Sequence, residues 1–238
     1  MAISRQTLRD DLRALFQNLG TSTLSDETLD LIIGRGLWRM SKDRPSEQHY
    51  QLTGSGKRFN LSSLITDWVP EFSVVRQCLL PYPDEDSLDN IEPLDHKGYR
   101  VVQLGGVYWL YLQDAIGSGG GLVIYTTTWK LEDIDGATTT TITPSLDSAI
   151  LWVCAHFLAT SMAAKMAGTN DKQAPADFVN FRSKSDEYRR VAREYESSYL
   201  RELGLSADRP PALGILMDVD QRTQMGDAYM THRPFGMR

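Results

Sequence analysis

The sequence predicts an α+β protein: a helical bundle built from N- and C-terminal helix pairs, an inserted antiparallel β-sandwich or barrel-like region, and an extended C-terminal tail. Apolar residues recur every three or four positions near both ends of the body, and they alternate with polar residues between about Tyr50 and Thr143. Neither period continues after Gly204. The predicted divisions are N-terminal helices 1–48, β-domain 49–144, C-terminal helix pair 145–204 and docking tail 205–238.

Two amphipathic helices are predicted in the N-terminal division. The first begins after Ser4, a residue type that caps helix N-termini, and Gly20 is placed to end it. Its apolar face carries Leu8, Leu12, Leu15 and Leu19. The second begins near Ser25 or Asp26 and ends in the polar turn 42–45. Together they predict a short helical hairpin.

The β-domain is predicted from four runs with a period of two. These runs are 72–80, 99–104, 107–113 and 122–131. Both faces of the run Val107–Leu112 are largely apolar, so we expect a strand that is buried on both sides. The glycine-rich segment 117–121 is typical of a hairpin connection.

The C-terminal helix pair begins after Pro144 with a helix rich in small and apolar residues, which permit close packing. The second helix is predicted to begin near Pro175 and to end at Gly204. Its side facing the preceding helix is predicted to carry Phe178, Phe181, Ser185, Tyr188, Ala192, Tyr195 and Tyr199.

Composition limits the class of protein. The formal charge of -6 argues against a general nucleic-acid binder, because affinity for phosphates comes from clustered Lys and Arg. No signal peptide or membrane-spanning run is expected, which predicts synthesis in the cytoplasm. Cys78 and Cys154 are predicted to be buried free thiols, since each lies in an apolar stretch.

The sequence motifs of phosphate-binding enzymes and of metal sites are incomplete in this chain. The run 54–57 lacks the first glycine and the final Ser or Thr of a phosphate loop, and a calcium loop starting at Asp133 would place Pro144 where a bidentate Glu is needed. The four histidines are dispersed. We therefore expect no catalytic residue, no cofactor, no metal, and a protein that is not an enzyme.

Charged side chains suggest contacts between subunits. The acidic run that begins with Asp84, Glu85 and Asp86 contains no Lys or Arg, so it is expected first as a solvated loop. Its functional alternative is a surface that repels DNA or pairs with basic residues of a partner. On the last helix Arg182, Arg189 and Arg193 alternate with acidic residues. They are expected first as an exposed face and second as an ionic contact between subunits.

The chain resembles a family of viral structural proteins. The segment Ile142–Leu151 (ITPSLDSAIL), together with Phe178, Phe181 and Tyr188–Tyr195 (YRRVAREY), is similar to the C-terminal helical pair of head-to-tail adaptor (connector) proteins of tailed bacteriophages. The opening helices, which end in Trp38–Pro45 (WRMSKDRP), are similar to those of the same family. Residues Phe72–Pro83 and Val123–Thr126 resemble the β-domain inserted in some larger adaptors.

The resemblance implies a non-enzymatic virion protein of the head–tail neck, made in the host bacterial cytoplasm. Such adaptors form a homo-oligomeric ring, commonly twelve-fold, beneath the portal protein, and a stopper or tail-terminator protein binds the opposite end. Genome DNA passes through the lumen without sequence-specific binding, and no membrane is involved. The smallest adaptors are almost wholly helical, so the β-domain here departs from the minimal pattern.

The tail 205–238 is predicted to dock on the portal or on a neighbouring subunit. Ordering a run of this length is costly, so contacts must offset the lost chain entropy. Binding to its own subunit is an open alternative. Its candidate anchors are apolar residues spread between prolines and glycines: Leu213, Ile215, Leu216, Met217, Met225, Tyr229, Met230 and Phe235.

A second hypothesis makes the β-domain a carbohydrate-binding or host-attachment module on a helical base. If exposed, the aromatic side chains of Tyr108, Trp109, Tyr111 and Trp129 are of the type that lines sugar sites, although alternating strand aromatics are more often core residues. The exposure of Trp109 and Trp129 distinguishes the two interpretations.

Overall fold

The computed structural model describes residues 3–17, 24–81, 94, 98–116, 120–168 and 178–205, with the backbone alone for 168 and 178–183. The chain divides into two units, 1–204 and 205–238, and of the second unit only Leu205 lies among the described residues. The first unit mixes helices with antiparallel sheets, which confirms the predicted α+β class.

The helices and strands follow one another in a helix–sheet–helix order. The elements are α1 (Arg5–Leu15), α2 (Asp26–Asp43), β1 (Ser46–Leu52), β2 (Gly56–Asn60), α3 (Leu61–Leu64), β3 (Val75–Leu79), β4 (Tyr99–Leu104), β5 (Val107–Ile116), β6 (Gly121–Thr127), α4 (Asp147–Gly168) and α5 (Phe178–Glu202). We call α1, α2, α4 and α5 the helical body and residues 46–127 the β-module.

Serine caps begin the two N-terminal helices, as predicted. The Ser4 hydroxyl accepts a hydrogen bond from the Thr7 amide at 3.1 Å, and that of Ser25 accepts one from the Thr28 amide at 3.3 Å. Each cap satisfies an amide that has no partner within the helix. α1 ends at Leu15, whose side chain is exposed, so the predicted buried face stops at Leu12; Leu19 and Gly20 lie outside the described residues.

α4 lies at the centre of the helical body and contacts α1, α2 and α5. The segment Pro144–Ala167 has a mean hydropathy of 1.4 over its most apolar window, so by length and composition alone it is able to cross a membrane. Half of that window is buried inside the protein. A helix that neighbours surround on several sides is expected to be apolar nearly all round.

Close packing joins α2 to α4. A Cβ atom added at Gly36 would lie 2.6 Å from the Cys154 sulfur and 3.3 Å from Cγ1 of Val153. Only a residue without a side chain fits this position. Cys154 and Cys78 are buried free thiols, as the sequence predicted.

α5 packs along α4 through the predicted face, where Ser185, Ala192 and Tyr199 are buried. The Ser185 hydroxyl donates to the Ala163 carbonyl at 3.0 Å, and the Tyr199 hydroxyl donates to Asp43 Oδ2 at 2.8 Å. The second bond ties the end of α5 to the end of α2. The side chains of Phe178 and Phe181 are outside the described set.

The β-module contains two three-stranded antiparallel sheets, ordered β1-β6-β3 and β2-β5-β4. They share one hydrophobic core, and the described strands do not close into a barrel. The core comprises Leu52, Phe59, Leu61, Ile65, Trp68, Val75, Cys78, Leu110, Leu112, Ile116, Val123 and Tyr125.

The chain leaves and rejoins the helical body at neighbouring points. Ser46 at the start of β1 pairs with Thr127 at the end of β6. Beyond that pair, Trp129 donates its indole N–H to the Arg44 carbonyl at 2.6 Å and its backbone N–H to the Ser41 hydroxyl at 2.9 Å. These bonds connect both ends of the β-module to the last turn of α2.

Two predictions about strands are corrected. Strands β1 and β2 were not predicted, and the run predicted to extend to Leu131 ends at Thr127. The run predicted to be buried on both sides, β5, buries only the face with Leu110 and Leu112. Its other face is half-exposed because its aromatic rings are partly covered by arginines of neighbouring strands rather than by a second apolar layer.

Candidate functional site

The outer face of the sheet β2-β5-β4 combines arginines with aromatic and aliphatic side chains. Successive strand residues point to opposite faces, so residues between the buried Leu110 and Leu112 lie on the side away from the core. We call this surface the arginine–aromatic face. Its members are Arg58, Arg100, Val102, Leu104, Val107, Trp109 and Tyr111.

Tyr111 lies at the centre of this face between two arginines. In the strand register Arg58 and Arg100 are both directly opposite Tyr111, one on each neighbouring strand. Each guanidinium carbon lies 5.4 Å from the centroid of the Tyr111 ring, which is cation–π distance. Within the described residues neither arginine has a carboxylate within ion-pair distance.

Aliphatic side chains extend the face along β4 and β5. Val102 is paired with Trp109, and Leu104 is paired with Val107 near the turn that joins the two strands. The Leu104 side chain is 52% exposed. The face therefore places apolar side chains beside two arginines that have no ion-pair partner among the described residues.

A second exposed surface lies where α2 meets the segment 128–137, and we call it the α2 groove. It encloses about 330 Å³ and is lined by apolar residues that include Leu37, Val69, Leu131 and Ile134. Trp38 stands at its rim, 46% exposed, with its ring centroid 5.4 Å from that of Phe72. A large exposed aromatic beside an apolar groove is typical of a protein-binding surface.

The helical body contains a network of ion pairs between α1 and α2. Asp30 accepts hydrogen bonds from Arg5 Nη2 at 2.6 Å and from Arg9 Nη2 at 2.5 Å, and Arg9 is 7% exposed. Partial burial raises the pKa of Asp30, but the bonds from the two arginines outweigh it and hold the pKa below its usual value. Since each charge has a partner, we assign the network a structural role.

The predicted tail anchors and the predicted acidic residues Asp84, Glu85 and Asp86 lie outside the described residues. Of the three predicted arginines, Arg182 is described by its backbone alone, while Arg189 and Arg193 are exposed on α5. Arg189 lies 3.4 Å from Asp186 of its own helix. The roles predicted for these residues in binding partners remain predictions.

The four aromatic residues of the carbohydrate hypothesis do not form one surface. Tyr108 faces the core, where its ring lies 5.6 Å from that of Trp68 and its hydroxyl accepts a hydrogen bond from the Glu71 amide at 3.0 Å. Trp109 and Tyr111 lie on the outer face, each half-buried. Trp129, also half-buried, lines the α2 groove instead.

Sequence reasoning missed Arg58 and Arg100. Arg58 lies on β2, which was not predicted, and Arg100 lies on a predicted strand whose register with β5 the sequence did not specify. A prediction of all three strands with their pairing would have brought these arginines to Tyr111. Within the described part of the chain, no three His, Cys, Asp or Glu side chains lie close enough to hold a metal ion.

No protein-family model matches the chain, and no curated protein matches it significantly.

Proposed function

We propose that this protein is a head-to-tail adaptor of a tailed bacteriophage: a structural, non-enzymatic virion protein that forms a ring between portal and tail. The observation that carries the proposal is the packing of α1 and α2 against α4 although the β-module separates them in sequence. A helical body that is split in sequence by an inserted β-domain is the arrangement that the resemblance to the larger adaptors implies, and this agreement supports the proposal.

In the proposed architecture the helical body forms the ring, and the β-module is a sandwich-like contact domain directed outward or toward the tail. The two three-stranded sheets with a common core support the sandwich description. Two exposed surfaces, the arginine–aromatic face and the α2 groove, supply contact area for partners. Both contain Trp or Tyr, residue types that dominate the energetics of protein interfaces.

The tail 205–238 is proposed to dock on the portal or on a neighbouring subunit. Its anchors are apolar, and its acidic and basic residues balance: Asp208, Asp218, Asp220 and Asp227 against Arg209, Arg222, Arg233 and Arg238. Each copy in a ring presents one tail, so weak individual contacts add through avidity. DNA is proposed to pass through the lumen, where a negatively charged protein would not retain it.

Electron microscopy of particles that contain this chain tests the proposal directly. The expected result is density for a ring of this protein between portal and tail. The absence of the protein from the neck, or its presence as isolated copies on the particle surface, would contradict the adaptor function. Mass measurement of the isolated and the assembled protein tests the ring independently of its position.

A truncation tests the tail. A chain that ends at Gly204, and so lacks residues 205–238, is expected to remain folded, as shown by cooperative urea unfolding, and to fail in joining portal to tail. Full-length Ile215→Ser/Leu216→Ser/Met217→Ser is expected to show the same defect, whereas Gln221→Ser/Gln224→Ser, changed only at polar positions, is expected to assemble normally. Infectious particles built with the truncated chain would overturn the docking role.

A further inference from the structure

The arginine–aromatic face carries unbalanced positive charge on a protein that is negative as a whole. Arg58 and Arg100 contribute two guanidinium groups, and none of the seven members of the face is acidic. The formal charge of the whole chain is -6. A local concentration of positive charge that opposes the net charge favours binding of an acidic surface.

The residue types on the face favour a polypeptide partner over a nucleic acid. Trp, Tyr and Arg are the residues most enriched at the energetic centres of protein interfaces, and Val102 and Leu104 add apolar area. Two arginines neutralise few phosphates, so they give little affinity for a polyanionic backbone. The guanidinium carbons of Arg58 and Arg100 lie within about 11 Å of each other, because each is 5.4 Å from the centroid of the Tyr111 ring.

The chain itself contains a segment of matching charge, which we call the acidic run. Between residues 84 and 95 it carries six carboxylates and no Lys or Arg. These are Asp84, Glu85, Asp86, Asp89, Glu92 and Asp95. Leu88 and Ile91 supply apolar side chains within the same run. Its composition therefore complements both the charge and the apolar part of the face.

The anchoring of this segment favours a second copy as the partner. Pro81 precedes the run just after β3, and the Leu94 amide within it donates to the Cys78 carbonyl at 2.9 Å while its side chain packs on the shared core. The Leu94 side chain lies at the core side of the β-module, whereas the arginine–aromatic face points away from the core. The bond to Cys78 holds Leu94 at β3, in the sheet β1-β6-β3, whereas the arginine–aromatic face belongs to the sheet β2-β5-β4, and this separation favours the face of a second copy.

We propose that the arginine–aromatic face of one copy binds the acidic run 84–95 of a second copy. The two partner surfaces are different, so the contact is heterologous, and repetition around an axis generates a ring. The closed ring in a virion rests on the function proposed above. The contact between copies does not, and it is measurable on the isolated protein.

Charge reversal at each surface tests the contact. The face variant is Arg58→Glu/Arg100→Glu, and the run variant is Asp84→Lys/Glu85→Lys/Asp86→Lys. The control is Arg35→Glu/Arg44→Glu, which makes the same charge change as the face variant at exposed positions on and just after α2. Sedimentation velocity over a concentration series gives the self-association constant. Circular dichroism and urea unfolding show whether each variant is folded, and Arg58→Gln/Arg100→Gln replaces the face variant if it is not.

Each single variant is expected to weaken self-association at least about tenfold, and the control to leave it within about twofold. An equimolar mixture of face and run variants is expected to restore association, because the reversed face of one then meets the reversed run of the other. Association of the unmodified protein is expected to weaken as salt rises.

Four results would overturn the proposal. The first is an unmodified protein that remains monomeric at all concentrations. The second is variants that associate as strongly as an unmodified protein that does associate. The third is recovery in a chain that carries both reversals but not in the mixture, which would indicate pairing within one chain. The fourth is binding of a single-stranded oligonucleotide that the face variant abolishes. If association follows the expected pattern but the protein is absent from the virion neck, the adaptor function fails and the contact stands.

Discussion

Asp30 is the acceptor that joins the two N-terminal helices. It lies on α2, and two arginines from α1 donate to its carboxylate. Because Arg9 is nearly buried, its charge depends on this partner more than an exposed arginine would. The lowered pKa of Asp30 means that the ionised carboxylate is stabilised in the folded state relative to the unfolded chain.

Asp30→Asn is therefore expected to lower the free energy of unfolding by about 1–3 kcal/mol at pH 7, since hydrogen bonds to charged groups contribute on that order. The contribution of the ionised Asp30 to the free energy of unfolding is fully present above the pKa of Asp30 in the unfolded chain, near 4. It is lost as the pH falls through the lower pKa of Asp30 in the folded protein. The difference between wild type and variant should shrink below about pH 4. Urea unfolding at several pH values measures it.

Asp10→Asn is the matched control for this change. Asp10 is on α1, accepts from Gln6 and Arg13, and has an exposed side chain. Its loss is expected to change stability by no more than about 0.5 kcal/mol. An equal effect of the two substitutions would show that Asp30 does not join the helices in the way described.

Gly36 is limited by space rather than by backbone conformation. It lies inside α2, where alanine favours the helix by about 1 kcal/mol. An added Cβ would lie 2.6 Å from the Cys154 sulfur, and this close contact opposes that gain. Gly36→Ala is expected to destabilise by about 1–3 kcal/mol through overpacking, as measured by thermal or urea unfolding.

Gly34, two positions before Gly36 on α2, provides the control. At Gly34 on the same helix the nearest atom to an added Cβ is Asp135 Oδ2 at 3.3 Å, at the end of an exposed side chain that is free to turn away. Gly34→Ala is expected to be neutral or stabilising. Adding Cys154→Ala to Gly36→Ala should recover part of the loss, and no recovery would contradict a clash with the sulfur.

A hydrogen bond joins the C-terminal end of α5 to the C-terminal end of α2. Tyr199 is buried, and burial together with the neighbouring Asp43 carboxylate raises its pKa. The hydroxyl therefore stays protonated and donates to Asp43, which also accepts from Arg39 Nε at 2.7 Å. This arrangement fixes a helix from the C-terminal pair on one from the N-terminal pair.

Tyr199→Phe keeps the ring and removes the hydroxyl, so it is expected to cost about 1–2 kcal/mol of unfolding free energy. Tyr195→Phe on the same helix is the control, because the Tyr195 ring stacks on Trp152 and its hydroxyl makes no hydrogen bond within the described residues. Its effect on stability should be smaller. If urea unfolding gave equal losses, the bond to Asp43 would not hold the two helices together.

Helices were predictable here because their signals are local. The Ser25 cap and the apolar spacing along α2 are readable from a few neighbouring residues. β1 was not predicted because its sequence, SEQHYQL, is mostly polar and buries only its first and last residues. The burial of such a strand depends on β6, a partner about 75 residues away, which local periodicity does not encode.

The arginine–aromatic face could not be predicted from the sequence for the same reason, because its residues come from strands that are distant in the chain. Tyr111 was named from the sequence as an exposed aromatic candidate, but its arginine neighbours are 53 and 11 positions away. Only the strand register brings them together. By contrast, the acidic run was identified from the sequence, since its charge pattern is contiguous.

For the whole molecule, net charge predicts how the protein behaves toward DNA. A chain of charge -6 is expected to bind duplex DNA more weakly than a dissociation constant of about 10⁻⁴ M at physiological salt. Fluorescence polarisation with a labelled duplex at several salt concentrations measures it. Saturable binding that falls steeply with salt would contradict a DNA conduit to which the genome does not adhere.

The paired ends of the β-module have a consequence for the ancestry of the fold. Ser46 lies beside Thr127, and Trp129 bonds to Arg44, so the strands between them form a cassette whose two ends meet at one spot on the helices. Because the gap is already closed, a short linker is enough to replace the cassette without moving α2 away from α4. A single insertion at this point is therefore enough to relate an all-helical protein to this larger one.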